Sequence, residues 1–374
     1  MTTDSRTNIL FITQSHWSEK ELHRIGIEEF DVFTLGVPLC RFPEAGTHGD
    51  ITVERLQLAK VLKFLATGRF AACMGYDTDM FLVHCAMRRN GMPALPLISI
   101  TLEPGFPRHV QLARSLGLED PEGAVAEFIA RGHAFWFCAT REFTGLFREA
   151  GIPGERLACL PYCTFTRSLF NPLGDDYLNG PPARTHDTAR AVQDAVLAAG
   201  TFNRDYATFV RACRDIQHPA AIITHLPDLI NTVGRKQVDI LKEELASAPG
   251  ITLYGAAPFQ DYIDCLRRAA VVAVPLQHDH FTTGHLTISD AQHLGTPVVA
   301  ADLATARDFI EHGRTGLLYE PGNPAALRRA VRDLLHDQAL RRDIANNARR
   351  SEENLSQQAR SELIQTLRAA AGGV

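Results

Sequence analysis

PLQHDHFTTGHLTISDAQHLGTPVVAADLATARDFIEHGRTGLLYEP, residues 275–321, is the stretch from which the fold of this chain is read. An apolar strand, Val271–Pro275, opens into a polar loop rich in histidine. The loop reaches Gly284 and then a helix over Thr287–Leu294 that carries Asp290. Gly295 and Pro297 end that helix and lead into a second apolar strand, Val298–Ala301. Another helix follows, then the turn His312-Gly313-Arg314-Thr315-Gly316. Apolar runs of four to eight residues bounded by Gly and Pro read as buried strands, and longer periodic runs as helices.

The same alternation extends outward on both sides. Before residue 275 the spacing predicts strands at Ala191–Ala199, Ala220–Thr224 and Ile251–Tyr254. Helices are expected at Asp205–Asp215, Lys236–Ala246 and Tyr262–Ala269. Val298–Ala301 is expected to be the last strand, with helices at Ala325–His336, Leu340–Ala348 and Asn354–Ala371. The first half shows the rhythm independently. Strands are read at Asn8–Thr13, Phe30–Leu35, Phe70–Met74, Leu95–Ile100 and His133–Ala139. Helices are read at Val53–Thr67, Asp79–Arg89, Ala124–Arg131 and Arg141–Ala150, with helical and polar segments up to about Glu29. Alternation of this kind implies parallel sheets covered by helices. Residues 151–172 interrupt it with three prolines, two glycines and one short strand, Leu157–Leu160. They read as a linker. The expected architecture is α/β, with two tandem doubly wound domains.

Composition agrees with two such domains. The chain has 374 residues, 45% of them hydrophobic and 22% charged, with a net charge of −5. A chain of this length exceeds one ordinary core. No apolar run is long enough to span a membrane. Residues 1–165 hold 16 Lys/Arg against 19 Asp/Glu. That half offers no obvious excess of positive charge for anionic lipid, and the net charge of −5 lacks the basic bias usual in nucleic-acid binders. The eight cysteines form no Cys-x-x-Cys pair and read as reduced, mostly buried thiols of a cytoplasmic protein. The N-terminus lacks the pattern of a secretory signal. Gly-x-Gly-x-x-Gly, the P-loop and the Gly-x-Ser-x-Gly elbow are all absent. This argues against dinucleotide, P-loop NTPase and α/β-hydrolase chemistry.

Four segments carry a family likeness. They are GIPGERLACLPYCTFTRSLFNP (151–172), VLAAGTFNRDYATFVRACRDI (196–216), ITLYGAAPFQDYIDCLRRAAVVAVPL (251–276) and DAQHLGTPVVAADLATARDFIEHGRTGLLYEPGNPAALRRAVRDLL (290–335). Together they resemble the retaining GT-B glycosyltransferases of family four, the glycosyl transferases group 1. The last segment is the most specific, because several Gly, Pro and acidic positions keep the family's spacing. The first half matches only in rhythm. The resemblance implies an acceptor-binding domain over residues 1–165, joined by the C-terminal helix 354–374, and a donor-binding domain over 166–353. Two departures stand out. The family places two glutamates eight positions apart; here Asp290 holds the second place and Thr282 the first. Thr201 follows Gly200 where the family commonly has Arg.

A sugar leaving a nucleoside diphosphate leaves negative charge that something must hold. A helix N-terminus offers free N–H groups and a positive dipole end. Gly284, His285, Leu286 and Thr287 open the Asp290 helix in the way such a site needs; the plain alternative is an ordinary helix cap. By resemblance, Asp290 would hold the ribose hydroxyls and Arg204 would stand where the family's diphosphate-binding Lys stands. A guanidinium binds two phosphate oxygens at once. The alternative for Arg204 is a solvated residue paired with Asp205. Lys236, with Arg235, follows a glycine and could reach the same phosphates or be a surface pair. His280 and Thr283 are candidates for the donor sugar. His278-Asp279-His280 has ligand spacing, yet no further His/Cys cluster accompanies it, so no metal is expected.

In the first half no His follows the strand Leu95–Ile100, and Glu103 is the ionisable group nearest that place. Asp77, together with Tyr76, follows the preceding strand, and Ser15 and His16 follow the first strand. Ligands bind beyond the carboxyl ends of such strands. Asp77, Glu103 and Arg204 are the catalytic candidates, and Ser15, His16 and Tyr76 the acceptor-side ones. The expected activity is transfer of a sugar from a nucleotide diphosphate sugar, UDP by family prevalence, to an acceptor hydroxyl, without a cofactor. Alternatives are a sugar-nucleotide 2-epimerase and a catalytically degenerate nucleotide-binding partner subunit.

Overall fold

The computed structural model describes residues 6–13, 23–37, 39–41, 51–101, 107–130, 134–161, 163, 165–166, 187–255, 257–278 and 283–372. The chain forms two compact units. One takes the residues up to Pro161 and those from Gln358 onward, and the other the greater part of what lies between.

The first unit is built on a seven-stranded sheet. Its strands are β1 (Thr7–Thr13), β2 (His23–Ile27), β3 (Phe30–Gly36), β6 (Ala72–Tyr76), β7 (Leu97–Thr101), β8 (Ala134–Cys138) and β9 (Leu157–Cys159), in the order β2-β3-β1-β6-β7-β8-β9. Two-residue strands β4 (Cys40–Arg41) and β5 (Thr52–Val53) pair separately. Helices α1 (Arg55–Leu65), α2 (Asp77–Arg89), α3 (Pro107–Ser115), α4 (Pro121–Ala130) and α5 (Arg141–Glu149) connect the strands. Ile9 to Ile12 are fully enclosed, as a parallel strand covered on both faces requires. Around them Trp136 packs on Phe128 and Phe147 with ring centroids 5.3 and 5.4 Å apart.

The second unit has a six-stranded, all-parallel sheet. Its strands are β10 (Val196–Ala199), β11 (Ala220–Ile223), β12 (Ile251–Tyr254), β13 (Val271–Val274), β14 (Val298–Ala301) and β15 (Leu317–Tyr319), in the order β12-β11-β10-β13-β14-β15. The four-residue strands β10, β11, β13 and β14 are buried throughout. Helices α6 (Asp187–Ala191), α7 (Tyr206–Cys213), α8 (Leu226–Val233), α9 (Arg235–Ala246), α10 (Phe259–Arg268), α11 (His285–Leu294), α12 (Ala304–Arg307), α13 (Pro324–His336) and α14 (Gln338–Gly372) surround or follow it.

The doubly wound α/β architecture expected from the sequence is present, with four corrections. The segment before Glu29 is strand β2, antiparallel to β3. Ile25 and Ile27 alternate at period two, and Glu28 takes the positive φ of 51° that the tight turn needs. β15 follows β14, so Val298–Ala301 is not the last strand; three residues are too few to show a period, and pairing of Ala300 with Leu318 fixes them. The expected strand from Ala191 begins only at Val196, because Asp187–Ala191 is helical. The two expected C-terminal helices are one, α14. The polar run at 349–353 reads as a break, yet its Glu352 is 1% exposed and anchors the helix inward.

Candidate functional site

In the second unit the chain winds outward from β10 in both directions, to β11 and β12 on one side and to β13, β14 and β15 on the other. The switch point therefore lies between β10 and β13, where ligands of such sheets bind. The loops leaving these two strands are tied together. The amide of Asp205 donates to the carbonyl of Pro275 at 2.9 Å, and that of Gln277 to Asn203 at 3.2 Å. Asn203, at φ 55°, completes the junction: its Nδ2 donates to the carbonyl of His278 at 2.5 Å and to Thr283 Oγ1 at 3.1 Å. Sequence reading passed over Asn203. The available signal was an Asn in a post-strand loop, a residue type that tolerates the left-handed region.

Arg204 is drawn inward by this loop and is only 5% exposed. Its Nε donates to the carbonyl of Ala199 at 2.9 Å, Nη1 to that of Phe202 at 2.7 Å, and Nη2 to Thr287 Oγ1 at 3.2 Å. No carboxylate among the described residues forms an ion pair with it. Asp205, its supposed surface partner, caps α7 instead, accepting from the amide of Thr208 at 3.0 Å. Burial pulls the Arg204 pKa below the ordinary arginine value, and the side chain remains a cation. Three of the five guanidinium N–H groups are used on Ala199, Phe202 and Thr287, and the Tyr206 hydroxyl also interacts with the group.

Gly200 makes room for this side chain. It sits at φ 109°, and a Cβ there would lie 2.4 Å from Arg204 Nη2. Gly200→Ala is therefore expected to expel the guanidinium and to lower stability by about 1–3 kcal/mol through backbone strain. A thermal melt together with a nucleotide titration checks this. A variant that melts and binds like wild type would show that Arg204 is free to move.

Thr287 joins α11 to this cation. Its hydroxyl accepts from Arg204 and, also at 3.2 Å, from the hydroxyl of Tyr262. The N-terminus of α11 has no side-chain cap, so neither Thr283 nor Thr287 serves as one. Gly284 holds φ 85°, and a Cβ there would come within 3.0 Å of Val274 and 3.1 Å of Leu276. The helix start is thus pressed against the end of β13. His285 is buried, stacked on Phe309 with centroids 5.0 Å apart, and its Nε2 has no hydrogen-bond partner among the described residues. Burial, with Arg204 nearby, pushes its pKa down to about 3, so the ring is neutral. Asp290 is 1% exposed on the next turn of α11. Leu286 stands out at 41% exposed.

Other candidates are scattered. Lys236 and Arg235 are exposed in the first turn of α9, whose Gln237 and Leu241 line a small hollow with Arg204. His280, with Asp279 and Thr282, lies outside the described residues, as do Ser15, His16 and Glu103. Among the described residues no group of three His, Cys, Asp or Glu is placed to hold a metal ion. In the first unit Tyr76 and Asp77 stand half-buried at the carboxyl end of β6. β6 and β1 are adjacent and flank that sheet's own switch point. Asp77 Oδ2 is 3.8 Å from Nε2 of His109, a histidine that sequence reading missed because it lies on α3 rather than directly after a strand. His109 is fully enclosed against Phe81 and Phe128. Burial pushes its pKa down to about 4.

The fold of the chain resembles sucrose-phosphate synthase of Thermosynechococcus elongatus, with a TM-score of 0.64 at 18% identity over 99% of this chain and 100% of that one. It also resembles Anabaena HepE in complex with UDP-glucose, with a TM-score of 0.61 at 16% identity over 97% of this chain and 100% of that one. The fold is GT-B. Residues 211–351 match the model of the family described as glycosyl transferases group 1. A D-inositol 3-phosphate glycosyltransferase of Streptomyces avermitilis is 38% identical over 77 residues, which cover 21% of this chain and 16% of that protein. The chain thus matches only a minor part of that relative's length.

Proposed function

We propose that this protein transfers a sugar from a nucleotide diphosphate sugar to an acceptor hydroxyl, with retention at the anomeric carbon. One observation carries the reading. A buried guanidinium with no carboxylate partner among the described residues shares Thr287 with an uncapped helix N-terminus at the sheet's switch point. A buried cation is costly unless it is paired, and an anion completes this arrangement. The bond from the anomeric carbon to the phosphate oxygen breaks as the acceptor oxygen attacks. Arg204 and the first amides of α11 hold the charge growing on the leaving diphosphate, and a phosphate oxygen receives the acceptor's proton. The first unit, with Tyr76 and Asp77 at its strand ends, is proposed to bind the acceptor. UDP-glucose, seen with the Anabaena relative, is the first donor to try.

Asp290→Ala tests the ribose assignment. Losing a carboxylate that accepts two ribose hydroxyls costs about 1–3 kcal/mol of donor binding. Calorimetry with UDP and UDP-glucose is expected to show this loss with the fold intact. Equal affinity in mutant and wild type would remove Asp290 from the site. Failure of wild type to bind any of UDP, GDP, ADP or TDP would remove the donor reading itself.

A further inference from the structure

α11 has a second polar stripe, used on the protein rather than on a ligand. Thr287 and Asp290 stand three apart on one side of the helix, and Ser289 and His293 four apart on another. Ser289 Oγ donates to Glu352 Oε1 at 3.3 Å, and His293 Nδ1 lies 3.3 Å from Glu352 Oε2. Ser356, one turn further along α14, donates to the same Oε1 at 3.1 Å and accepts from the amide of Phe165 at 3.2 Å. Arg349, one turn before, donates to the carbonyls of His293 and Leu294, each at 3.2 Å. Glu352 and Ser289 are 1% and 2% exposed. A polar seam therefore runs along the contact between α11 and α14.

We propose that Glu352 is a positioning residue that sets the register of α11, and through it the place of the anion-binding helix start. Apolar side chains would join two helices as firmly, since a buried charge has no net advantage over well-packed hydrophobic residues. What the carboxylate adds is direction. Hydrogen bonds tolerate only a few tenths of an ångström, whereas apolar packing lets a helix slide. Amides that must meet phosphate oxygens at hydrogen-bond distance need such a fixed register. Arg349 acts in the same sense at the other end of α11, where a cation on the last carbonyls is favourable. The inference rests on the nucleotide-donor reading for its ligand, but not for the seam.

The test uses the full chain and UDP as probe. Calorimetry and amide hydrogen exchange are run on wild type, Glu352→Ala and Glu352→Gln, well below each melting point. Glu352→Ala is expected to bind UDP about 10-fold more weakly, with faster exchange in α11. Glu352→Gln keeps an oxygen for Ser289 and Ser356 and is expected to stay within about threefold of wild type. Wild-type affinity in the Ala variant, or an equal loss in both, overturns the proposal. Should Glu352→Ala not fold, Ser289→Ala takes its place, with a loss of about threefold expected and no loss as the overturning result. If wild type binds no nucleoside diphosphate, the donor reading fails and exchange alone decides. Faster exchange in α11 for Ala but not for Gln then supports the positioning role, and unchanged exchange rejects it.

Discussion

Arg204→Ala is expected to lower sugar transfer by about 100-fold or more, with turnover falling further than the donor KM rises. The guanidinium is held by Ala199, Phe202 and Thr287, with Tyr206 beside it, and its remaining donors are expected to meet the diphosphate. Their contribution grows as the sugar–phosphate bond breaks, because negative charge then gathers on the leaving oxygen. Removing the side chain also strips the Ala199 and Phe202 carbonyls of their side-chain donor, at about 1–3 kcal/mol of stability. Kinetics must therefore be measured well below the variant's melting point. Arg204→Lys recovers only part of the loss, since one ammonium cannot serve two carbonyls, Thr287 and a phosphate at once. Near-normal steady-state kinetics in both variants would reduce Arg204 to a structural strut.

Acid is expected to destabilise both units over a defined window. His285 is held neutral down to about pH 3 and His109 to about pH 4. Unfolded, each ring takes up a proton near pH 6.5. Below that value the unfolded chain binds more protons than the folded one, so stability falls as pH falls. The slope is about 1.4 kcal/mol per pH unit for each ring until its folded pKa is reached. Above pH 7 the contribution is constant. Denaturation midpoints followed from pH 7.5 toward 4.5 measure the slope, and His285→Phe is expected to flatten it for the second unit. An identical acid limb in wild type and variant would mean that His285 titrates normally, and so that the start of α11 is open to water.

Much of the fold was legible because parallel strands buried on both faces must be continuous apolar runs. Val271–Val274 and Val298–Ala301 could hardly be anything else once Gly and Pro bound them. Gly284, Gly295 and Pro297 marked the ends of α11 through backbone requirements that are local to each residue. Short or mixed elements were not legible in this way. β15 has three residues, and β2 lies in a polar stretch. The polar residues at the middle of α14 look like a break until the partners of Glu352 are known.

Sequence alone determined the alternation of strand and helix, the doubly wound class, and the candidacy of Gly284 to Thr287, Asp290 and Arg204. All of these rest on periodicity, spacing or family likeness, which a linear text carries. Only the tertiary structure decided what those groups meet. Arg204 reaches Thr287 across 83 residues, Asn203 reaches His278 and Thr283 across 75 and 80, and Glu352 reaches Ser289 across 63. Asp77 and His109 come together from different helices. Such contacts depend on the order in which strands lie in a sheet. That order is set by packing the whole apolar core at once, and no local pattern encodes it.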